Sequence, residues 1–318
     1  MVKELLFFEP IFKERIWGGS ALKELFGYDI PSESTGECWA ISGHPNGRSI
    51  VKNGLYEGMT LDQLWKEHRE LFGNNSNDVF PLLIKILDAN EDLSVQVHPN
   101  DMYAKINEKG ELGKTECWYI IDCKEDAKII LGHNAQTEAE LREQISKGEW
   151  ESLLRTTPIK PGDFFFVPSG TVHALCEGTI VLETQQSSDS TYRVFDYDRK
   201  DANGELRELQ LDKAIDVINV PHSHITNKPK ITKQKDALIT TFVESNYFTV
   251  HKWSIDGTAT FTYEQSFLLC SVIDGEGEII IEGEGVTYII RKGDHFIVPA
   301  TVYSFSIIGK VEMIVSHD

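Results

Sequence analysis

The stretch LSVQVHP at Leu93–Pro99 carries side chains that could bind a metal ion. Gln96 and His98 are two residues apart within an alternating apolar run. Successive side chains of a strand point to opposite faces, so Ser94, Gln96 and His98 share one face and the valines share the other. This pattern predicts a strand whose polar face lines a cavity.

Two further predicted strands add donors of the same kind. Lys114 and Glu116 share one face at the start of an apolar run. His173 follows the aromatic strand Phe164–Val167 after a Pro-Ser-Gly turn. One amide, one carboxylate and two imidazoles suit a divalent transition metal with a coordination position open to substrate. Glu116 could instead form an ion pair with Lys114, and their shared face lets both interpretations hold together.

The bulk composition sets limits on the class of protein and on its partners. The chain has 318 residues, enough for two domains, and 41% hydrophobic and 25% charged residues are ordinary for a globular protein. A net charge of −19 argues against nucleic acid and anionic membranes as partners. A few placed Lys or Arg side chains could still bind a small anionic molecule.

No feature of the sequence indicates export or membrane insertion. The first residues lack the apolar core of a signal peptide, and no apolar run approaches the ~20 residues that a membrane-spanning helix needs. The five cysteines form no C-x-x-C pair, and their number is odd. Reduced thiols in a cytoplasmic protein are the simplest interpretation.

Most of the chain has the pattern of short strands separated by Gly, Pro, Asn and Asp. Two segments have helical spacing instead: Thr60–Leu71, with Thr60 as N-cap, and Thr137–Leu154, with a break near Gly148. We expect these helices to lie outside the sheet core.

An internal repeat predicts the architecture. KPGDFFFVP at Lys160–Pro168 returns as RKGDHFIVP at Arg291–Pro299. Each copy has a basic residue, a Gly-Asp turn, an aromatic strand and Val-Pro. This is typical of a cupin, a jelly roll or double-stranded β-helix. The sequence therefore predicts a mainly β protein with two cupin domains and a small helical portion.

The two copies differ where chemistry is expected. Tyr303 replaces His173 in the second copy, which also lacks a Gln-x-His strand. We therefore expect a metal-binding catalytic domain at residues 1–235 and a structural cupin without the metal site at residues 236–318. The polar segment His222–Asp236 is interpreted as the linker between them.

Several ordered motifs together resemble type I phosphomannose isomerase (mannose-6-phosphate isomerase), in its short bacterial form. The motifs are IFKERIWGG at Ile11–Gly19, STGECWAIS at Ser34–Ser42, PLLIKILDA at Pro81–Ala89, the QVHP stretch, GKTECWYI at Gly113–Ile120, PSGTVHAL at Pro168–Leu175 and TYRVFDYDR at Thr191–Arg199. They run in the family's order over nearly the whole chain.

The resemblance implies a zinc-dependent aldose–ketose isomerase that interconverts mannose 6-phosphate and fructose 6-phosphate through an enediol(ate), with one Zn²⁺ per chain. Its metal ligands fall on residues that strand alternation also selects: Gln96, His98, Glu116 and His173. Its catalytic arginine falls on Arg193. Positions that would bind the phosphosugar fall on Lys114, Ser94 and Lys85.

The general base stays open between Glu183 and Asp189, both near these motifs in sequence. Two other functions also stay open: a metal cupin of another reaction class, such as an iron dioxygenase, and a non-catalytic sensor of sugar phosphates. Metal identity with oxygen uptake would distinguish the first, and binding without turnover would distinguish the second. The sequence predicts no oligomeric state.

Overall fold

The computed structural model describes residues 3–200, 204–223, 228–263 and 266–318. Strands dominate these residues, as the fold-class prediction requires. In chain order they are β1 Leu6–Glu9, β2 Ile11–Gly19, β3 Thr35–Ser42, β4 Ile50–Val51, β5 Leu82–Ala89, β6 Val95–Val97, β7 Glu116–Cys123, β8 Lys128–His133, β9 Leu154–Pro158, β10 Phe164–Val167, β11 His173–Leu175, β12 Thr179–Gln186, β13 Tyr192–Phe195, β14 Lys230–Gln234, β15 Ala237–Glu244, β16 Thr249–Thr262, β17 Leu268–Ile281, β18 Thr287–Arg291, β19 His295–Val298 and β20 Ser304–His317.

Short helices connect these strands. They are α1 Ala21–Phe26, α2 Leu61–Glu67, α3 Asp101–Asn107, α4 Glu138–Lys147, α5 Trp150–Leu153 and α6 Leu211–Val217, with 3₁₀ turns at Gly54–Tyr56 and Arg69–Phe72. The two predicted helical segments are confirmed as α2 and as the pair α4–α5. Gly148 ends α4 in the left-handed conformation that favours glycine. Within the described residues, no helix has the length and apolarity needed to cross a bilayer.

Two antiparallel sheets form the N-terminal cupin. One has six strands in the order β10-β7-β12-β5-β3-β2, and the other has five in the order β13-β6-β11-β8-β9. Their inner faces share a core that includes Trp118 and Val181 from the six-stranded sheet and Ile129 and Leu175 from the five-stranded sheet. Glu116 is two residues from Trp118 and His173 is two residues from Leu175, so the same inner faces also carry these predicted donor residues.

A nine-stranded sheet forms the C-terminal half, in the order β14-β15-β16-β20-β17-β19-β1-β4, with β18 paired to β17. Its core contains apolar side chains from both ends of the chain, such as Phe7, Phe296 and Met313. Strand β1, from the N-terminal part of the sequence, completes this sheet by pairing Leu6 with Ile297 and Phe7 with Phe296.

The internal repeat predicted from sequence corresponds to two matching turns. Gly162 and Gly293 each have φ of +92°, which favours glycine. The following aspartates, Asp163 and Asp294, accept hydrogen bonds from the backbone N–H three residues earlier, at 3.0 and 2.8 Å. Each turn leads directly into an aromatic strand, β10 or β19. The cupin architecture in both halves is thereby confirmed.

The linker prediction needs correction. Lys230–Gln234, within the predicted linker His222–Asp236, forms strand β14, which pairs with β15 from Lys230↔Thr241 to Gln234↔Ala237. All five of its residues are exposed, so no apolar alternation marked it as a strand. Residues 224–227 of that segment lie outside the described residues.

Candidate functional site

Three buried side chains converge between the two sheets of the N-terminal cupin. His98 follows β6 and His173 begins β11, both in the five-stranded sheet, whereas Glu116 begins β7 in the six-stranded sheet. Nitrogen and carboxylate atoms of the three residues lie within 4.8 Å of one another. The Nε2 atoms of His98 and His173 lie 3.3 and 3.4 Å from the two oxygens of Glu116.

Backbone carbonyls fix the orientation of both imidazoles. Nδ1 of His98 lies 2.9 Å from the carbonyl oxygen of Ser190, and Nδ1 of His173 lies 2.8 Å from that of Thr171. A carbonyl can only accept a hydrogen bond, so Nδ1 carries the proton in each ring. Nε2 therefore directs a lone pair toward Glu116, which is the arrangement that metal-binding histidines need.

Gln96 completes the cluster from the middle of β6. Its backbone pairs directly with His173, and its amide nitrogen lies 3.3 Å from Nε2 of that residue. Rotation of the amide by half a turn exchanges its nitrogen and oxygen, and the oxygen is a metal donor. The structure thus brings together the four residues that alternation selected.

Burial and charge together favour neutral histidines and an ionised Glu116 in the cluster. Burial and then the charge of Lys114 lower the pKa of His98 to about 3, so its ring is neutral near pH 7. Burial acts to raise the pKa of Glu116, but Lys114 and the two histidines outweigh it, and the pKa lies well below its usual range. Nζ of Lys114 lies 2.7 Å from Oε2 of Glu116.

These residues fit a divalent metal on geometric grounds. Ligand atoms about 2.0–2.1 Å from a tetrahedral metal lie roughly 3.3 Å apart, as the His–Glu distances here do. Oε2 of Glu116 lies against the ammonium of Lys114, whereas Oε1 is fully buried and accepts no hydrogen bond of good geometry from the described residues. A buried carboxylate left in this way costs free energy unless a cation or donor satisfies it.

A cavity of about 360 Å³ opens beside the cluster. The predicted substrate-binding residues Lys114, Ser94 and Lys85 line it, as do Gln96 and Arg193. Ser94, Lys85 and Lys114 are each 5% exposed, so all three belong to the cavity wall and not to the protein surface.

Strand register places Lys85 beside Glu183, and Lys114 approaches the same carboxylate from the residues before β7. Trp39, Lys85, Glu183 and Trp118 are direct cross-strand neighbours on β3, β5, β12 and β7. Oε1 of Glu183 lies 3.5 Å from Nζ of Lys85 and 3.9 Å from Nζ of Lys114, and Trp118 donates to Oε2 at 3.1 Å. Burial and the charge of Glu116 nevertheless raise the pKa of Glu183.

Arg193 and Asp189, the other two predicted groups, lie in the same cavity. Arg193 is the cross-strand neighbour of Gln96, and its Nη1 donates to the carbonyl of Glu208 at 2.9 Å. Oδ2 of Asp189 accepts a hydrogen bond from Asn46 at 2.8 Å. Glu183 is thus enclosed among cations, whereas Asp189 binds a neutral amide.

Sequence reasoning missed three charged residues of the cavity wall: Arg15, Glu37 and Arg207. Glu37 accepts from Nε of Arg15 at 2.7 Å and from Nε1 of Trp39 at 2.6 Å. The i, i+2 spacing of Glu37 and Trp39 was a signal that could have placed both on the face of β3 that lines the cavity. Arg207 lies in an irregular segment, where no such period exists.

Comparisons with known proteins agree with this geometry. A family model described as phosphomannose isomerase type I, catalytic domain, matches residues 5–121, and one described as mannose-6-phosphate isomerase, cupin domain, matches residues 238–318. Mannose-6-phosphate isomerase ManA of Bacillus subtilis is 58% identical over the full length of both chains. The mannose-6-phosphate isomerase of Streptococcus mutans is 52% identical over 99% of this chain and 98% of its own.

A solved structure supports the same relationship. The crystal structure of the mannose 6-phosphate isomerase from Bacillus subtilis superposes with a TM-score of 0.97 at 57% identity and covers 99% of both chains. Full-length identity of this size, together with the two family models, confirms the resemblance inferred from the motifs. The chain belongs to the type I phosphomannose isomerase family.

Proposed function

We propose that this protein is an isomerase that interconverts mannose 6-phosphate and fructose 6-phosphate and that it depends on a divalent metal, with Zn²⁺ as the expected ion, one per chain. The observation that carries the proposal is the buried His98–Glu116–His173 cluster, which lies beside a cavity whose lining includes Gln96 and several lysines and arginines. His98, Glu116, His173 and Gln96 would hold the metal. The names of the full-length relatives support the substrate pair.

The isomerisation moves a proton between C1 and C2 of the open-chain sugar, and negative charge develops on the adjacent oxygens. A bound divalent metal supplies Lewis-acid stabilisation of that charge. Arg193 places a guanidinium in the cavity, beside Gln96. The guanidinium stays charged at any working pH, so Arg193 stabilises the oxyanion or holds a sugar hydroxyl in position.

We assign the general base to Glu183. Its carboxylate is buried, lines the cavity, and leaves Oε1 without a hydrogen bond of good geometry from the described residues. Its pKa is raised, mainly by burial, which makes it a stronger base for a carbon-bound proton. Asp189 is the weaker candidate because its carboxylate already accepts a hydrogen bond from Asn46.

Lys114, Lys85 and Ser94 would bind the oxygens of the sugar. Nζ of Lys114 lies 3.2 Å from Nε2 of His98, so this ammonium is placed at the metal end of the cavity. The hydroxyl of Ser94 and the ammonium of Lys85 provide further donors along the wall. In this assignment, all proposed chemistry belongs to residues 1–235, and residues 236–318 have a structural role.

The compartment we propose is the cytoplasm. All five cysteines are free, and four of them are buried. Burial raises the pKa of the Cys38 and Cys270 thiols, which keeps them protonated and unreactive. Free thiols of this kind accord with a reducing environment.

The test is a coupled assay with mannose 6-phosphate, combined with metal analysis. We expect one zinc per chain and a loss of activity of about two orders of magnitude or more after chelation, restored by added Zn²⁺. His173→Ala should lose the metal and the activity but remain folded. His133→Ala is the matched control, because His133 is equally buried but outside the cluster.

Activity that survives complete metal removal would contradict the proposed mechanism. Oxygen uptake with bound iron would instead indicate a dioxygenase. Tight binding of mannose 6-phosphate without turnover would indicate a sensor. Retention of stoichiometric zinc by His173→Ala would contradict the ligand set.

A further inference from the structure

We propose that Gln186 is a positioning residue for the metal site, because its side-chain amide joins the segment after His98 to the segment before Glu116. The proposal rests on the proposed function, since it concerns the metal on which that reaction depends. Gln186 is the last residue of β12 and is 6% exposed. It is neither one of the cavity-lining residues nor one of the three donors of the cluster, so it acts through other residues.

Each of the three donors lies at or beyond the end of a strand. His98 follows the last residue of β6, whereas Glu116 and His173 are the first residues of β7 and β11. The regular ladder of backbone hydrogen bonds therefore continues on only one side of each donor. A metal site nevertheless needs its donors held within about 0.5 Å of the productive geometry. Other hydrogen bonds must fix the segments that carry these donors.

The amide of Gln186 makes one hydrogen bond to each of two such segments. Its Oε1 accepts from the backbone N–H of Thr115 at 2.9 Å, and its Nε2 donates to Oδ1 of Asp101 at 3.0 Å. A backbone N–H can only donate and an ionised carboxylate can only accept, so this orientation of the amide satisfies both partners. Thr115 directly precedes Glu116, and Asp101 is three residues after His98.

The same two segments are also packed directly against each other. Oδ1 of Asp101 accepts a second hydrogen bond from the N–H of Gly113 at 2.8 Å, and the N–H of Lys114 donates to the carbonyl of Pro99 at 2.9 Å. A Cβ on Gly113 would overlap the backbone nitrogen of Asp101, so this approach requires glycine. The amide of the proposed positioning residue bridges the two segments at this contact.

Thr115 extends the network to the third donor. It is 1% exposed, and its carbonyl accepts from the backbone N–H of Gln186 at 3.0 Å. Its hydroxyl accepts from the N–H of Ser169 at 3.2 Å, and Ser169 lies in the turn that leads to His173. The segments of all three donors are therefore linked through Thr115, which Gln186 holds by both its backbone and its side chain.

Removal of the amide would disturb the donors through these segments. The buried N–H of Thr115 would lose its acceptor, which is costly unless the segment moves to find another. Such a movement would change the distances of 3.3 and 3.4 Å that now separate the oxygens of Glu116 from Nε2 of His98 and of His173. Loss of residues that orient metal ligands typically weakens metal binding about tenfold to hundredfold.

Gln186→Met tests the proposal in the full-length protein, because methionine has a similar length but makes no strong hydrogen bond. Competition with a chromogenic chelator gives the Kd for Zn²⁺ and needs no turnover. We expect this Kd to rise about tenfold to hundredfold. The visible absorption spectrum of the Co²⁺-loaded protein reports the arrangement of the donors, and we expect it to change as well.

Asn53→Leu is the matched control, because Asn53 also uses its amide to join backbone groups. Its Oδ1 accepts from the N–H of Phe7 and its Nδ2 donates to the carbonyl of Leu5, both at 2.8 Å, so it holds β1 and not a donor segment. We expect a lower free energy of unfolding in urea, with an unchanged Kd for Zn²⁺ and an unchanged Co²⁺ spectrum. An equal rise of the Kd in Asn53→Leu would show that general destabilisation explains the effect, and it would overturn the proposal. An unchanged Kd in Gln186→Met would overturn it too.

If Gln186→Met does not fold, Asp101→Ala decides in its place, because it removes the carboxylate that the amide and Gly113 share. A several-fold rise of the Kd for Zn²⁺ supports the proposal, and an unchanged Kd overturns it. Failure of the proposed function has a separate signature. A wild-type protein that binds Zn²⁺ but does not isomerise mannose 6-phosphate refutes the activity alone, and the zinc titrations still decide the role of Gln186. A wild-type protein that binds no Zn²⁺ overturns both.

Discussion

Strand β6 has cavity-lining polar side chains on one face and apolar core side chains on the other. On β6, Val95 and Val97 are fully buried in the core, whereas Gln96 and Ser94 line the cavity on the opposite face. His98 follows the last residue of the strand and keeps the alternation. A shift of one residue in register would exchange the two faces, so the site depends on the buried valines as much as on the donors.

Glu183→Gln tests the assignment of the base at this scale. The amide keeps the size of the carboxylate but cannot accept a proton, so kcat should fall by about 10²–10⁴-fold. Metal content should be unchanged, since Glu183 is not part of the donor cluster. Metal analysis and steady-state kinetics with mannose 6-phosphate check both expectations.

The pH profile provides a second readout for Glu183. A base must be deprotonated, so wild-type activity should rise as pH increases through the pKa of Glu183, which burial raises above that of an ordinary glutamate. This rise of activity with pH should be absent from Glu183→Gln. Asp189→Asn is the control and should still show the rise. A larger loss in Asp189→Asn than in Glu183→Gln would transfer the role to Asp189.

Alternation and motif order select most of the site residues that lie on or beside strands, but not Arg15 on β2 or Glu37 on β3. Ser94, Gln96 and His98 followed from the period of two on one predicted strand. Arg207 did not follow from the sequence, because the segment that carries it has no period. Its place depends on Asp196 and on the hydrogen bonds of Gln210, which are contacts between residues and not a local pattern.

At the scale of elements, local signals predicted helices better than edge strands. Helix α4 has an N-cap residue and a left-handed glycine at its end, both readable in the sequence. Strand β14 has no apolar face, so its sequence alone predicts a linker. Its conformation comes from pairing with β15, which is tertiary information.

Thr137→Ala tests the cap of α4. The hydroxyl of Thr137 accepts a hydrogen bond from the backbone N–H of Glu140 at 3.2 Å. Alanine leaves that N–H without its side-chain acceptor, so the free energy of unfolding should fall by about 1 kcal/mol. Urea unfolding measures this change. Thr137→Ser keeps the hydroxyl and should match the wild type, and equal losses in both variants would show that the cap contributes nothing.

At the scale of the whole molecule, the N-terminal segment joins the two halves. Strand β1 pairs with β19 and places Phe7 against Phe296 in the C-terminal core. Tyr28 then packs against the same strand, where its hydroxyl donates to the carbonyl of Gly293 and contacts Nε2 of His295, both at 2.8 Å. The internal repeat predicts two cupins. It cannot predict that β1 joins the C-terminal sheet, because β1 and β19 are far apart in the sequence.

His295 makes the stability of this junction depend on pH. Nε2 donates to Tyr28, and Nδ1 accepts from Ser271 at 2.8 Å, so the neutral ring satisfies both partners. Burial and then the charge of Lys52 lower the pKa of His295 to about 3. In the unfolded chain the pKa of a histidine is about 6.5.

Between these two pKa values, His295 is therefore neutral in the folded protein and protonated in the unfolded chain. This contribution to stability is fully present above about pH 6.5 and is lost progressively as pH falls toward the folded pKa of about 3. One such group changes the free energy of unfolding by up to about 1.4 kcal/mol per pH unit. His295→Gln cannot titrate, so its stability should depend less steeply on pH between pH 6 and pH 4.

Urea unfolding of the full chain at pH 7, 6, 5 and 4 measures the slope. Tyr28→Phe is the matched control: it removes one hydrogen bond of His295 but leaves the ring buried, so stability should fall at every pH while the slope remains. If His295→Gln keeps the full wild-type slope, the pH dependence arises from other buried groups, and the junction between the two halves does not respond to protons through His295.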